Sequence, residues 1–163
     1  MAETGNHNRT GERALDTAYS VKTEAGALGE SAAHAPKVRV LIADDQQIAC
    51  EVLKRLLRTE QDVELVATCS SGAEALESIK KLDPDLVFMD VQMPGMDGFE
   101  VLEKLPPGRS PIVVFVTANE AHAGRAEKAN AGFVLKPCTR ERIRTALRHA
   151  LARRLPAHRA DDF

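Results

Sequence analysis

The sequence predicts a doubly wound α/β fold, with one five-stranded parallel sheet covered by helices on both faces. Two observations predict it. From about residue 37 onward, short apolar runs of strand length alternate with amphipathic stretches of helical spacing. Two of those runs end in acidic residues, Asp44-Asp45 after the first and Asp90 after the third. The carboxyl ends of parallel strands are where open α/β sheets place their ligand sites.

The elements follow in order. Val38 to Ala43 is a strand by its β-branched content and length. Ile48, Val52, Leu53, Leu56 and Leu57 recur at helical spacing and are expected to form the inner face of a first helix. Val63 to Ala67 makes a second strand. Ser71-Gly-Ala-Glu74 is a capping box opening a helix that carries Leu76, Ile79 and Leu82 and stops at Asp83-Pro84. Leu86 to Met89 is the third strand, followed by a turn-rich loop with Pro94, Gly95 and Gly98, a short helix, and the breaker Pro106-Pro107-Gly108. Ile112 to Val116 is apolar throughout, as a strand buried on both faces should be. Phe133 to Leu135 is a short fifth strand. The last helix sets Ile143, Ala146, Leu147, Ala150 and Leu151 on one stripe, with Arg140, Arg142, Arg144, Arg148 and Arg153 largely elsewhere. Gly124 and several alanines make the fourth helix the weakest, and it is expected to be short or mobile.

With no glycine-rich fingerprint after the first strand, the flavodoxin-like strand order 2-1-3-4-5 is favoured. First and third strands are then neighbours, which brings Asp44, Asp45 and Asp90 together. Three carboxylates so placed repel one another unless a hard divalent cation neutralises them, so a Mg²⁺ site is expected.

Domain limits follow from composition. Residues 1–36 are polar and small, with apolar residues scattered without period and only a weak helical tendency around Arg13 to Tyr19, so a disordered N-terminal tail is expected. The ordered domain is expected at 37–155, with a short tail at 156–163. A net charge of −2 recommends neither nucleic acid nor an anionic membrane as partner. No apolar run approaches the roughly 20 residues a bilayer span needs, and the start shows no secretory pattern. Cys50, Cys69 and Cys138 match no zinc or CxxC spacing, which points to a reducing compartment, by default the cytoplasm.

Four motifs now stand in order at strand ends: Asp44-Asp45, Asp90 within Phe-Met-Asp-Val-Gln-Met-Pro-Gly-Met-Asp-Gly, Thr117 within Val-Thr-Ala, and Lys136-Pro137. Together they resemble the receiver domain of two-component response regulators, over about residues 37–154. The resemblance implies a phosphoacceptor at Asp90, charged from a histidine kinase or a histidine phosphotransfer protein in a phosphorelay. It implies Mg²⁺ held by Asp45, Asp90 and the backbone carbonyl of Gln92, with Asp44 acting through a water. It gives Lys136 a pairing with Asp90 at rest and with a phosphoryl oxygen afterwards, gives Thr117 a hydroxyl donor role, and makes the Lys136-Pro137 bond cis. Phe133 takes the place of the switch aromatic, so that the surface of helix 4, strand 5 and helix 5 becomes the output face toward a downstream protein. Gln92 and Asn119 would flank the path of attacking water.

Such a domain assists only its own phosphorylation and dephosphorylation and is not otherwise an enzyme. With few residues after the last helix, a stand-alone, single-domain regulator is expected. Alternatives remain open: a phosphorylation-independent interaction module with a vestigial site, or a haloacid-dehalogenase-like phosphatase, whose acidic pair would be Asp-x-Asp rather than adjacent. Phe88, Phe99 and Phe115 are assigned to the core, Cys138 is expected to be inert, and His122 and His149 are expected to be solvated. The arginine-rich face of the last helix is either a solvated face or a docking surface for an acidic partner or a nucleic-acid backbone.

Overall fold

Strand alternation sends successive side chains to opposite faces, and in this chain both faces are apolar. The computed structural model describes residues 36–108 and 110–154. The expected tail up to residue 35, with its helical tendency at Arg13 to Tyr19, and the C-terminal tail at 156–163 lie outside the described residues.

The elements are β1 (Val38–Ala43), α1 (Gln47–Arg58), β2 (Val63–Cys69), α2 (Gly72–Leu82), β3 (Leu86–Met89), α3 (Gly98–Glu103), β4 (Ile112–Thr117), a 3-10 turn (Glu120–His122), α4 (Ala123–Lys128), β5 (Gly132–Leu135) and α5 (Arg140–Arg154). The five strands pair in parallel in the order β2-β1-β3-β4-β5, as expected. Leu41, Ala43, Val87, Met89, Val113 and Phe115 face α2, α3 and α4, where they meet Ala75, Ile79, Phe99, Val101 and Ala126. The alternate residues Val40, Ile42, Leu86, Phe88, Val114, Val116 and Val134 face α1 and α5, against Cys50, Leu53, Leu57, Ile143, Leu147 and Ala150. Each fully buried Leu or Phe in these layers contributes roughly 1.5–3 kcal/mol of transfer free energy.

The inner face of α1 departs from expectation. Ile48 is 82% exposed and Val52 39%, while Cys50, Leu53 and Leu57 are buried. α1 begins only at Gln47, and this sets its rotation so that residues 50, 53 and 57 meet the sheet.

Helix ends also differ in detail. Ser71 Oγ accepts from the Glu74 amide, but the Glu74 carboxylate accepts from the amide and hydroxyl of Ser70 rather than completing the box with Ser71. A full capping box instead opens α3: Asp97 accepts from the Glu100 amide and Glu100 from the Asp97 amide, both at 2.8 Å. α2 stops at Asp83, which is left-handed at φ 46° before Pro84. α4 has six residues, so the fourth helix is short.

His122 corrects a second expectation. Its Nε2 is buried without a hydrogen-bond partner among the described residues, and its ring lies 6.0 Å from that of Phe99. His149 is exposed as expected.

Several α5 arginines are tied to the fold. Arg144 Nε donates to Glu60 at 2.8 Å, with Arg140 Nε 3.8 Å from the same carboxylate. Arg142 Nη1 donates to the carbonyls of Leu135 (3.0 Å) and Pro137 (3.3 Å), and Arg153 Nη1 to that of Asn130 (3.0 Å).

Candidate functional site

Parallel register assembles the site. Ala43 is paired with Met89, so the residues that follow each, Asp44 and Asp90, emerge side by side at the carboxyl edge. The Asp90 amide donates to Ala43 O (2.8 Å) and the Asp44 amide to Cys69 O (3.1 Å), fixing both backbones. Met89 is paired with Phe115, two residues before Thr117, which ends β4. Thr117 is paired with Leu135, and the Lys136 amide donates to Thr117 O at 2.9 Å. Four strand ends therefore deliver Asp44, Asp90, Thr117 and Lys136 to one place. The Lys136-Pro137 peptide is cis.

Asp44, Asp90 and Thr117 are buried polar residues at 2%, 5% and 1% exposure, whereas Asp45 is exposed. Carboxylate oxygens of Asp44, Asp45 and Asp90 all lie within 4.8 Å of one another. Such a set of hard oxygen donors on nearby strand ends fits a hard divalent cation. An open depression of about 540 Å³ leads to it, lined by Asp45, Asp90, Gln92, Thr117 and Lys136. Gln46, Met93, Pro94, Asp97 and Ala118 also line it and had not been singled out for the site. The readable signal was Asp97, at N-cap spacing from Glu100.

Lys136 makes the expected ion pair with Asp90 and a second, shorter one with Asp44. Its Nζ lies 2.8 Å from Asp44 Oδ2 and 3.5 Å from Asp90 Oδ2, so its closer partner is Asp44. Asp44 Oδ1 already accepts from the Gln46 amide at 2.8 Å, and the ammonium satisfies the second oxygen of this buried carboxylate. Asp90 Oδ1 accepts a longer bond, 3.3 Å, from the Gln92 amide.

Burial pushes the Asp90 carboxyl above its ordinary value; the Lys136 ammonium opposes this, while the negative charges of Asp44 and Asp45 add to it. For Lys136, burial pulls downward, but the bond to Asp44 and the charges of Asp90 and Asp44 outweigh it, so its pKa is raised and it stays an ammonium. Burial raises Cys138 and Cys50, so both remain protonated thiols of low reactivity at neutral pH.

Thr117 Oγ1 accepts from the Asn119 amide (3.2 Å), and Thr117 lines the depression. Gly98 explains itself here: a Cβ at that position would stand 2.5 Å from the Asp90 carbonyl oxygen. Phe133, paired with Phe115 across β4 and β5, is half-buried and packs against the layer containing Phe99 and Phe115.

Comparison with known proteins agrees with this architecture. The response regulator receiver domain family matches over residues 40–148. An uncharacterised response regulatory protein of Yersinia pestis is 42% identical over 111 residues, 68% of this chain and 47% of that protein. The transcriptional regulatory protein BtsR of Escherichia coli K12 is 37% identical over 111 residues, 68% of this chain and 46% of that protein. The chain thus spans about half the length of the curated relatives it matches. Among solved structures, the signal receiver domain of the response regulator NarL from Mycobacterium tuberculosis superposes with a TM-score of 0.63 at 35% identity, covering 72% of this chain and 98% of that one. With strand order, strand-end residues and family match in agreement, the chain belongs to the response regulator receiver domain family of two-component systems.

Proposed function

We propose that this receiver accepts a phosphoryl group on Asp90 from a phosphohistidine of a sensor kinase or a phosphotransfer protein, and signals by changing how it binds a downstream protein. The observation that carries the reading is the position of Asp90: a buried carboxylate at a strand end, 3.5 Å from the Lys136 ammonium and open to a depression rather than sealed in the core. In the transfer, an Asp90 oxygen forms the new P–O bond as the P–N bond to imidazole breaks, and the imidazole nitrogen keeps the electron pair and takes up a proton.

Asp45, Asp90 and the Gln92 carbonyl would hold Mg²⁺, with Asp44 beside them through a bound water. When bound it supplies charge neutralisation for the phosphoryl oxygens, which phosphoryl transfer requires more than covalent help. The chain's own groups do the rest. Lys136 is a point-charge donor to a phosphoryl oxygen once it turns from Asp44. Thr117 donates its hydroxyl proton to another oxygen, and Phe133 on β5 follows the space that Thr117 vacates. Gln92 and Asn119 stand two residues beyond Asp90 and Thr117 and border the path of water.

For the phosphodonor, α1 offers a docking strip: Ile48 and Val52 are exposed on the helix that follows Gln46, and Gln46 itself lines the depression. Exposed large apolar side chains next to a polar cleft suit a partner helix that buries them.

The test is intact-protein mass after incubation with acetyl phosphate, with and without Mg²⁺, for the wild type and Asp90→Asn. A Mg²⁺-dependent phosphoryl adduct absent from the variant is expected. Equal labelling of Asp90→Asn would refute the assignment.

A further inference from the structure

α4 lacks the means to hold itself in place. It has six residues, Gly124 among them, no side-chain cap at His122, and a single buried residue, Ala126. A helix of that length is not stable without tertiary contacts. One side chain ties it to α3. The guanidinium carbon of Arg125 lies 4.0 Å from the centroid of the Phe99 ring, and its Nη2 is 3.3 Å from Glu103 Oε1. Phe99 is buried and packs against Phe115, their ring centroids 4.4 Å apart and their planes tilted by 41°; Phe115 precedes Thr117 by two residues on β4.

The other end of α4 is wired to the site. Thr117 Oγ1 accepts from the Asn119 amide, Asn119 Oδ1 accepts from the Ala121 amide at 3.0 Å, and Asn119 O accepts from the His122 amide at 3.3 Å. The turn runs directly into Ala123, where α4 begins, and the Ala123 amide donates to Glu120 O. Any shift of the Thr117 hydroxyl toward a group on Asp90 therefore pulls on the turn and on α4. The contacts of Arg125 with Phe99 and Glu103 resist that pull.

We propose that Arg125 is a positioning residue that restrains α4 against α3 in the unmodified protein, and thereby sets how readily Thr117 engages a phosphoryl group on Asp90. This rests on the receiver reading given above and adds a restraint particular to this chain. A contact present in only one of two states shifts the equilibrium by its own strength, and the apparent affinity of a ligand selecting the other state shifts by the same factor. A half-exposed cation–π contact together with an exposed ion pair amounts to about a fivefold shift.

Two measurements on the full chain test it. The first is the affinity of beryllofluoride, a phosphoryl mimic, in the presence of Mg²⁺. Arg125→Ala is expected to bind it about fivefold more tightly than wild type, Glu103→Gln up to about twofold more tightly because the ring contact survives, and Arg125→Lys in between. The second, made without metal or mimic, is amide exchange across Ala123–Lys128, expected to quicken about fivefold in Arg125→Ala while Leu86–Met89 is unchanged. Unchanged or weaker beryllofluoride binding in Arg125→Ala, or an equal rise of exchange in Leu86–Met89, would overturn the proposal while leaving the receiver reading intact. Failure of the wild type to bind beryllofluoride would overturn the receiver reading, and the proposal with it.

Discussion

Gly98→Ala probes how closely Asp90 is held. The new Cβ would lie 2.5 Å from the Asp90 carbonyl oxygen, 3.0 Å from Phe115 Cε1 and 3.2 Å from Met89 Cγ. Ordinary contact begins near 3.4 Å, so the Asp90 carbonyl oxygen must give by about 0.9 Å and the Phe115 and Met89 atoms by about 0.4 and 0.2 Å. Phe115 and Met89 are fully buried and have nowhere to retreat. The Gly98 amide is meanwhile bonded to Val91 O at 2.8 Å, one residue beyond Asp90. The strain therefore falls on the Asp90 backbone and the start of α3. Overpacking of this kind costs about 1–3 kcal/mol, which lowers the thermal midpoint of a domain this size by about 3–12 °C. A carboxylate displaced by several tenths of an ångström should also slow labelling by acetyl phosphate about ten- to a hundredfold. Thermal unfolding followed by circular dichroism and a time course of intact-protein mass read the two effects. A variant with an unchanged midpoint and labelling rate would show that the space exists and that the close approach is not what holds Asp90.

Two further outcomes are expected. Gly124→Ala meets open space, since nothing lies within 4 Å of the added Cβ; replacing a helical glycine there should raise stability by about 0.5–1 kcal/mol in urea denaturation, and a loss instead would mean that α4 is not helical in solution. The Glu60 carboxyl is held below its ordinary value first by the bond from Arg144, with burial opposing. A depressed acid stabilises the fold above its unfolded pKa of roughly 4.3 and loses that contribution as pH falls through the folded value. The midpoint difference between wild type and Glu60→Gln should therefore shrink as pH is lowered from about 6 toward 3, and a difference constant over that range would contradict the ion-pair account.

Much of the architecture was legible because the apolar runs are long enough to declare strands and the acidic residues mark their carboxyl ends. Asp44, Asp90, Thr117 and Lys136 came together because parallel register is forced by strand order, which the sequence pattern already favoured. The rotation of α1 was not legible. Ile48 and Val52 have the spacing of a core face, but which face meets the sheet depends on where the loop after Asp45 releases the chain into the helix. The α3 capping box was written in Asp97 and Glu100, yet it was overlooked inside a loop rich in Pro and Gly. The closer partner of Lys136 depends on how many backbone amides each carboxylate has already engaged, which no linear pattern encodes. His122 illustrates a similar limit, since its Nε2 is buried where the turn before α4 sets the ring 6.0 Å from that of Phe99.

The guanidinium groups of Arg142 and Arg153 also bear on how this protein behaves among copies of itself. Because the Lys136 amide bonds inward to Thr117, the alternate residues Phe133 and Leu135 turn their backbone groups away from the sheet. A bare strand end of this kind is a template for another chain. Here Leu135 O is already occupied by Arg142, and Asn130 O, just before the strand, by Arg153. An intruding strand would have to displace positive charge from both ends of a four-residue edge before it gained a ladder of its own. α5 thus discourages aggregation along the margin of the sheet, leaving that side open to partners that recognise side chains rather than bare backbone.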